Sequence, residues 1–230
     1  MIPVVREHIK ILENDPNPRV LINTFDALEE KSLKILEKIG WLDLKAEGSV
    51  VYISFGSLAV LKEEQKEEIL KGLLESERPF LWVIRLSNED GKNKNVNYGL
   101  NGKGMIVPWC SQMEVLFHKS IGCFVSHCGW NSTLESIVAD VPLIGYPQFS
   151  DQVTNSKMVE EVWGTGVRAR AEEGIVKREE LKRCLKILMG DGEKGNEIRR
   201  NVKKYKDLAM EAVKGGGSSH YNLNKFLDSL

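Results

Sequence analysis

Long apolar runs are missing from this chain. No stretch approaches the roughly 20 residues a bilayer-spanning helix needs, so no membrane span is expected and any membrane link would be peripheral. Charge of one sign is missing too: 32 Lys and Arg stand interleaved with 33 Asp and Glu, for a net charge of −1. Such a balance gives no field for steering to nucleic acid or to an anionic membrane, so a site for a charged ligand must be built locally. Cysteines are few. Cys110, Cys123, Cys128 and Cys184 lie in segments that read as strands or a helix, without paired metal-ligand spacing, and are expected to be reduced core thiols of a cytoplasmic protein. Arg6, Glu7, His8 and Lys10 fall where a secretory signal would need an apolar core, so none is read there. The full G-x-G-x-x-G fingerprint is absent, which weighs against a Rossmann dehydrogenase. What is present is 42% hydrophobic residues, enough to fill one large α/β domain with an appendage.

Residues 1–40 read as helix, strand, helix. Val4, Val5, Ile9, Ile11 and Leu12 fall in the first helix, Pro16 and Pro18 punctuate a turn, Val20-Leu21-Ile22-Asn23 is a short strand, and Ala27 to Ile39 is the second helix. From Ser49 onward, β-branched apolar runs alternate with helical periods, the pattern of a parallel sheet covered on both faces. Strands are expected at 50–55, 80–85, 104–108, 121–126, 141–146 and 167–171. The helix from Lys62 to Leu74 turns Ile69, Leu73 and Leu74 inward, and its Glu and Lys residues read as a solvated face. Residues 88–104 read as a polar surface loop. Two long helical segments follow Lys177. Gly215-Gly216-Gly217 comes after a helix, so it reads as a hinge or helix stop and not as a phosphate loop.

Chemistry concentrates where strands end. Phe124-Val125-Ser126-His127-Cys128-Gly129 is a strand running into a glycine turn, and Asn131-Ser132-Thr133 opens a helix. Free amides and the helix dipole there favour an anion, a diphosphate above all, although Asn131 or Ser132 could equally be an ordinary N-cap. Glu135 shares a helical face with Asn131 and Ser132, while Leu134, Ile137 and Val138 can turn toward the core. A carboxylate beside a diphosphate makes sense if it accepts from ribose hydroxyls; the alternative is that it complements the helix dipole. Trp109, after Pro108 at a strand end, offers a platform for a base or a core side chain, and Gln112 could read the base edge. Trp130 carries the same ambiguity. His127 could be a core imidazole, a catalytic base or a phosphate partner. A zinc site of Cys123, His127 and Cys128 fails on geometry, because adjacent strand residues point to opposite faces. Pro147 to Gln152 ends another strand and begins another helix; Asp151 or Ser150 could cap it, or Asp151 and Gln152 could bind sugar hydroxyls. Phe55-Gly56-Ser57 ends the first strand, and its hydroxyl could reach a phosphate.

The stretch from Trp109 to Gln152 resembles, almost position for position, the signature box of the plant secondary-product UDP-glycosyltransferases, and the likeness runs from Phe55-Gly56-Ser57 to the C-terminus. The resemblance implies a Rossmann-like doubly wound α/β domain over 41–230, the C-terminal half of a two-domain GT-B glycosyltransferase, with 1–40 as the tail of the N-terminal acceptor domain. It implies that Trp109 stacks on uracil, Gln112 lies near the uridine and Glu135 holds the ribose. Ser57, His127, Asn131 and Ser132 would contact the diphosphate, and Trp130, Asp151 and Gln152 the hexose. Gln at the final position of the box leans toward glucose. The implied reaction is an inverting transfer from UDP-glucose, without metal or other cofactor, to a small-molecule acceptor held by the N-terminal half. His127 is then no base, because the phosphate helix starts just after it. The family's catalytic His and its orienting Asp have no counterpart here, and His8 is the only histidine upstream, so no catalytic residue is assigned. Ile39-Gly40 runs straight into Trp41-Leu42-Asp43 where relatives have a longer connector, which suggests an excision or a missing loop. Asn17 to Phe25 and Ile106 to Gln112 look nearest to the branch acting on anthocyanin 5-hydroxyls and on carboxylates such as auxin. The whole enzyme is expected to be a cytoplasmic monomer. A non-catalytic nucleotide-sugar binding module would use the same residues.

Overall fold

A computed structural model of the chain describes residues 40–57, 59–84, 100 and 102–229. Apart from Gly40, the elements expected over 1–40, including His8, lie outside the described residues, as does most of the loop expected over 88–104. The chain divides into two compact units, Met1–Lys38 and Ile39–Leu230; only the second is described.

Six strands form one sheet: β1 (Val50–Ser54), β2 (Phe80–Val83), β3 (Gly104–Val107), β4 (Ile121–Ser126), β5 (Leu143–Gly145) and β6 (Gly166–Arg168), in the order β3-β2-β1-β4-β5-β6. Every neighbouring pair is parallel. All six expected strands are present. Five of them end earlier than expected, because the backbone leaves the sheet at its C-terminal rim to build the turns described below.

Alternation within each strand supplies two cores. Val51 and Ile53 of β1 face one side with Phe80, Trp82, Cys123 and Val125, whereas Val50 and Tyr52 face the other with Leu81, Phe124 and Leu143. Burying both faces favours continuous apolar strands, and each fully buried Val, Leu, Ile or Phe contributes about 1.5–3 kcal/mol.

The helices are α1 (Glu63–Glu75), α2 (Gln112–Leu116), α3 (Trp130–Val138), α4 (Gln152–Lys157, extended by a wider π-turn over Met158–Val162), α5 (Arg178–Met189), α6 (Glu193–Val213) and α7 (Ser218–Leu227). Two expectations are corrected. The charged side of α1 is more than a solvated face: Glu64, Glu68 and Glu75 pair with Lys177, Arg178 and Lys182 at the start of α5. Leu134 does not turn inward but is 41% exposed. The side of α3 laid on the sheet carries Ser132, Thr133, Ser136 and Ile137, small residues that let the helix approach closely, and Leu134 falls off that stripe. The triple glycine does stop a helix, with α6 ending at Val213 and α7 opening after Gly217.

Candidate functional site

Strand order reverses between β1 and β4, whose C-terminal ends lie level with Ser54 beside Ser126. At such a point the crossover helices depart to opposite faces and leave a crevice outside the strand ends, the usual ligand position of doubly wound sheets. Two turns line the crevice. After β1, Phe55 is buried, Gly56 takes φ +72° and Ser57 is exposed. After β4 come His127, Cys128 at φ +62° and Gly129, and then α3.

Gly129 is the N-cap of α3, and no side chain caps the helix. The reading of Asn131 or Ser132 as an ordinary cap is therefore set aside: the helix opens at Trp130, and both residues lie inside its first turn. With no cap acceptor, the helix start keeps its amide donors and dipole available to an anion. The turn also fixes His127. A Cβ on Gly56 would sit 2.7 Å from its Nε2, and one on Gly129 would sit 2.6 Å from it, so only glycines leave room for the imidazole. Nδ1 of His127 is buried with no hydrogen-bond partner among the described residues. Burial pushes the ring below the ordinary histidine pKa, partly opposed by the Asp151 carboxylate, so near neutral pH it is uncharged.

A cavity of about 260 Å³ opens beside this helix start, lined by Ser57, Trp109, Gln112, Asn131, Ser132 and Glu135 together with Tyr52, Ser54, Gly56, Val83 and Cys110. Six of the ten residues singled out from the sequence thus meet in one place. Trp109 is 52% exposed, so it is no core tryptophan and presents an indole to the cavity. Gln112 is committed to the helix across from it. Its Nε2 donates to Glu135 Oε2 at 2.6 Å and to Ser132 Oγ at 2.8 Å, which orients the carboxylate along the cavity wall.

His127, Trp130, Asp151 and Gln152 do not line that cavity. Trp130 is 48% exposed and tilted against Trp163, ring centres 6.3 Å apart. Asp151 stands at the N-cap of α4, but its side chain makes no cap bond; it accepts instead from Asn155 Nδ2 at 2.8 Å. Gln152 is buried, its Oε1 accepting from the amides of Gln148 and Phe149 at 2.9 and 3.2 Å. That leaves its NH2 as the group it can offer outward.

Two residues of the site went unnoticed in the sequence. Tyr52 is buried, with its hydroxyl 3.4 Å from both Cys110 Sγ and Gln112 Oε1 at the cavity wall; burial raises its phenol well above the ordinary tyrosine range. Within a strand of Val and Ile it carried no signal of its own. Asn155 lies 5% exposed under the turn after β4, and only its place three residues after Gln152 could have drawn notice. A larger cavity, about 500 Å³, opens at the opposite rim of the sheet near Gly48, His118, Gly122, Pro142 and Lys203. It lies at the N-terminal ends of the strands, the wrong end for a ligand of this fold.

Sheet order and site define the class: a Rossmann-type domain with an uncapped helix start at its topological switch point. Residues 13–213 match the family described as UDP-glucoronosyl and UDP-glucosyl transferase, and the chain belongs to that family. It corresponds to the C-terminal half of a plant secondary-product UDP-glycosyltransferase of GT-B fold. UDP-glycosyltransferase 75C1 of Solanum lycopersicum is 47% identical over 266 residues, covering 98% of this chain and 57% of that protein. The alignment is longer than the chain, so the tomato protein has residues within the matched span that this chain does not. An anthocyanidin 3-O-glucoside 5-O-glucosyltransferase of Verbena hybrida is 41% identical over 268 residues, covering 98% and 57%. Among solved structures, Os79 of O. sativa in complex with UDP superposes with a TM-score of 0.77 at 44% identity, covering 83% of this chain and 42% of that one. The chain spans little more than half the length of the curated relatives it matches.

Proposed function

We propose that this chain is the donor-binding half of a UDP-glucose-dependent glycosyltransferase that transfers glucose, with inversion, to a hydroxyl or carboxylate of a small plant metabolite. One observation carries the reading: an exposed indole, a carboxylate held in place by an amide, and an uncapped helix start share one cavity. Uracil lies on Trp109, and the ribose hydroxyls donate to Glu135. The diphosphate meets the start of α3 with Ser57, His127, Asn131 and Ser132. A volume of about 260 Å³ falls short of the ~300–1,000 Å³ that encloses a drug-sized ligand. It suits the nucleoside, with the diphosphate and hexose running out over the helix start toward Trp130, Asp151 and Gln152. Asp151 offers acceptors and Gln152 an NH2, a pair suited to sugar hydroxyls.

In the transfer, an acceptor oxygen attacks the anomeric carbon while the bond to UDP breaks through an oxocarbenium-like state. Charge grows on the departing diphosphate, and the preorganised donors of α3 stabilise it more than they stabilise the bound substrate. The acceptor and its base belong to the N-terminal half, and likeness to the Verbena relative favours a flavonoid-type acceptor. Calorimetric titration with UDP tests the donor site. Trp109→Ala and Glu135→Ala are each expected to weaken UDP by more than tenfold, about 1.4 kcal/mol. Near-normal affinity in both variants would remove the pose.

A further inference from the structure

Asn155 sits where the two ends of the proposed donor meet. It is 5% exposed, belongs to α4, and spends both hydrogens of its amide: Nδ2 donates to the Cys128 carbonyl at 3.0 Å and to Asp151 Oδ2 at 2.8 Å. The first acceptor belongs to the turn that opens α3, the second to the carboxylate assigned to the sugar. Among the described residues, Asn155 alone bridges the two by side-chain hydrogen bonds.

Geometry makes the first bond consequential. Cys128 is a non-glycine residue at φ +62°, a strained conformation that persists only where surroundings hold it. The Ser126 hydroxyl accepts from its amide at 3.2 Å, and Asn155 holds its carbonyl. A peptide unit is planar and trans, so its C=O and N–H point opposite ways. Anchoring the Cys128 oxygen toward α4 therefore aims the Gly129 N–H away from α4. The second bond fixes which Asp151 oxygen is occupied and leaves Oδ1 as the acceptor turned outward.

We infer that Asn155 is a positioning residue that couples the diphosphate turn to the sugar carboxylate, setting the preference of the site for a glycosylated over a bare nucleoside diphosphate. It touches neither the nucleoside nor the reacting atoms. The inference rests on the UDP-sugar reading above and deepens it. Losing Asn155 should loosen Asp151 and the Cys128–Gly129 peptide together, while Trp109 and Glu135, held by other contacts, stay as they are.

Three titrations separate these ends: uridine, UDP and UDP-glucose against the wild-type chain, Asn155→Leu and the smaller Asn155→Ser. The expected result is uridine affinity within about twofold of wild type, UDP weakened severalfold, and UDP-glucose weakened at least tenfold, so that the ratio of UDP-glucose to UDP dissociation constants rises. Should the leucine variant fail to fold, the serine variant, which can keep at most one of the two bonds, carries the same expectation. Loss of uridine binding in both variants identifies a scaffold residue and overturns the coupling, as does an unchanged ratio of the two constants. A wild-type chain that binds none of the three ligands overturns the nucleotide-sugar reading itself, and this inference with it.

Discussion

His127 favours its neutral form for a physical reason: its ring is wedged between two glycines, and burial lowers its pKa. For stability the sign is plain. The folded-state pKa lies below the unfolded value of about 6.5, so the unfolded chain binds more protons in that window. The contribution is full above the unfolded pKa and declines as pH falls through the folded one. Ligand binding runs the other way. A diphosphate favours the imidazolium and raises its pKa, so UDP-glucose should bind more tightly as pH falls from about 8 through the bound-state pKa. The gain levels off below the free-state pKa. Titrations across pH check this, and His127→Gln should flatten the profile.

The ten site residues differ in how legible they were. Trp109, Glu135, Asn131, Ser132 and Ser57 could be placed at strand ends and on one helix face, because the 3.6-residue period and the strand–glycine–helix punctuation are local properties. Gln112 could read the base edge from its place at a helix start, but that its amide donates to Glu135 and Ser132, 23 and 20 residues on, is decided by the tertiary structure. No spacing rule reveals a bond of that length. Asn155 stayed hidden for the same reason, since its partner Cys128 is 27 residues away.

Among the elements, α1 and α5 show the same division. The sequence displayed a charged stripe on α1 and an apolar one beside it, and the apolar half behaved as expected. The acidic half found a partner. Glu68 accepts from the backbone amide of Arg178 at 2.8 Å, the first residue of α5, whose own N-cap Lys177 supplies no side-chain acceptor. One helix thus caps another. That backbone bond, with the Arg178 guanidinium beside it, holds the Glu68 carboxyl below the ordinary carboxylate range. Its contribution is full above about pH 4.3 and is lost as pH falls through the depressed folded value. Glu68→Ala removes both the acceptor and the charge. The expected loss is about 1 kcal/mol, in the range for removing a helix cap, or a Tm roughly 2–4 °C lower by calorimetry. UDP affinity should not change, because the strap lies away from the cavity.

For the molecule as a whole, the described residues gather the candidate site in one region. The cavity, the uncapped helix start and the candidate sugar contacts all lie between β1 and α4. Among the described residues, His127 is wedged between glycines in the turn after β4, His118 is bonded to Ser120 and Asp43, and His220 pairs with Asn224 on α7; no catalytic base is assigned to any of them. The chain alone is therefore expected to bind UDP-glucose without transferring glucose. Adding an acceptor-binding half, in a joined chain assayed by chromatography with phenolic and carboxylate acceptors, should restore turnover. Binding with no turnover in the joined chain, across both acceptor classes, would favour the non-catalytic module.

By itself the sequence determined the parts that depend on near neighbours: six β-branched strands, the helices between them, the glycine turns at strand ends and the family those turns belong to. Tertiary structure alone decided their meeting. It set β1 beside β4 so that strand order reverses where the two turns emerge, left Trp109 exposed, turned Gln112 onto Glu135 and slid Asn155 beneath Cys128. Periodicity constrains which face a side chain takes on its own element, whereas strand order and contacts across tens of residues follow from how two faces of a sheet are buried at once.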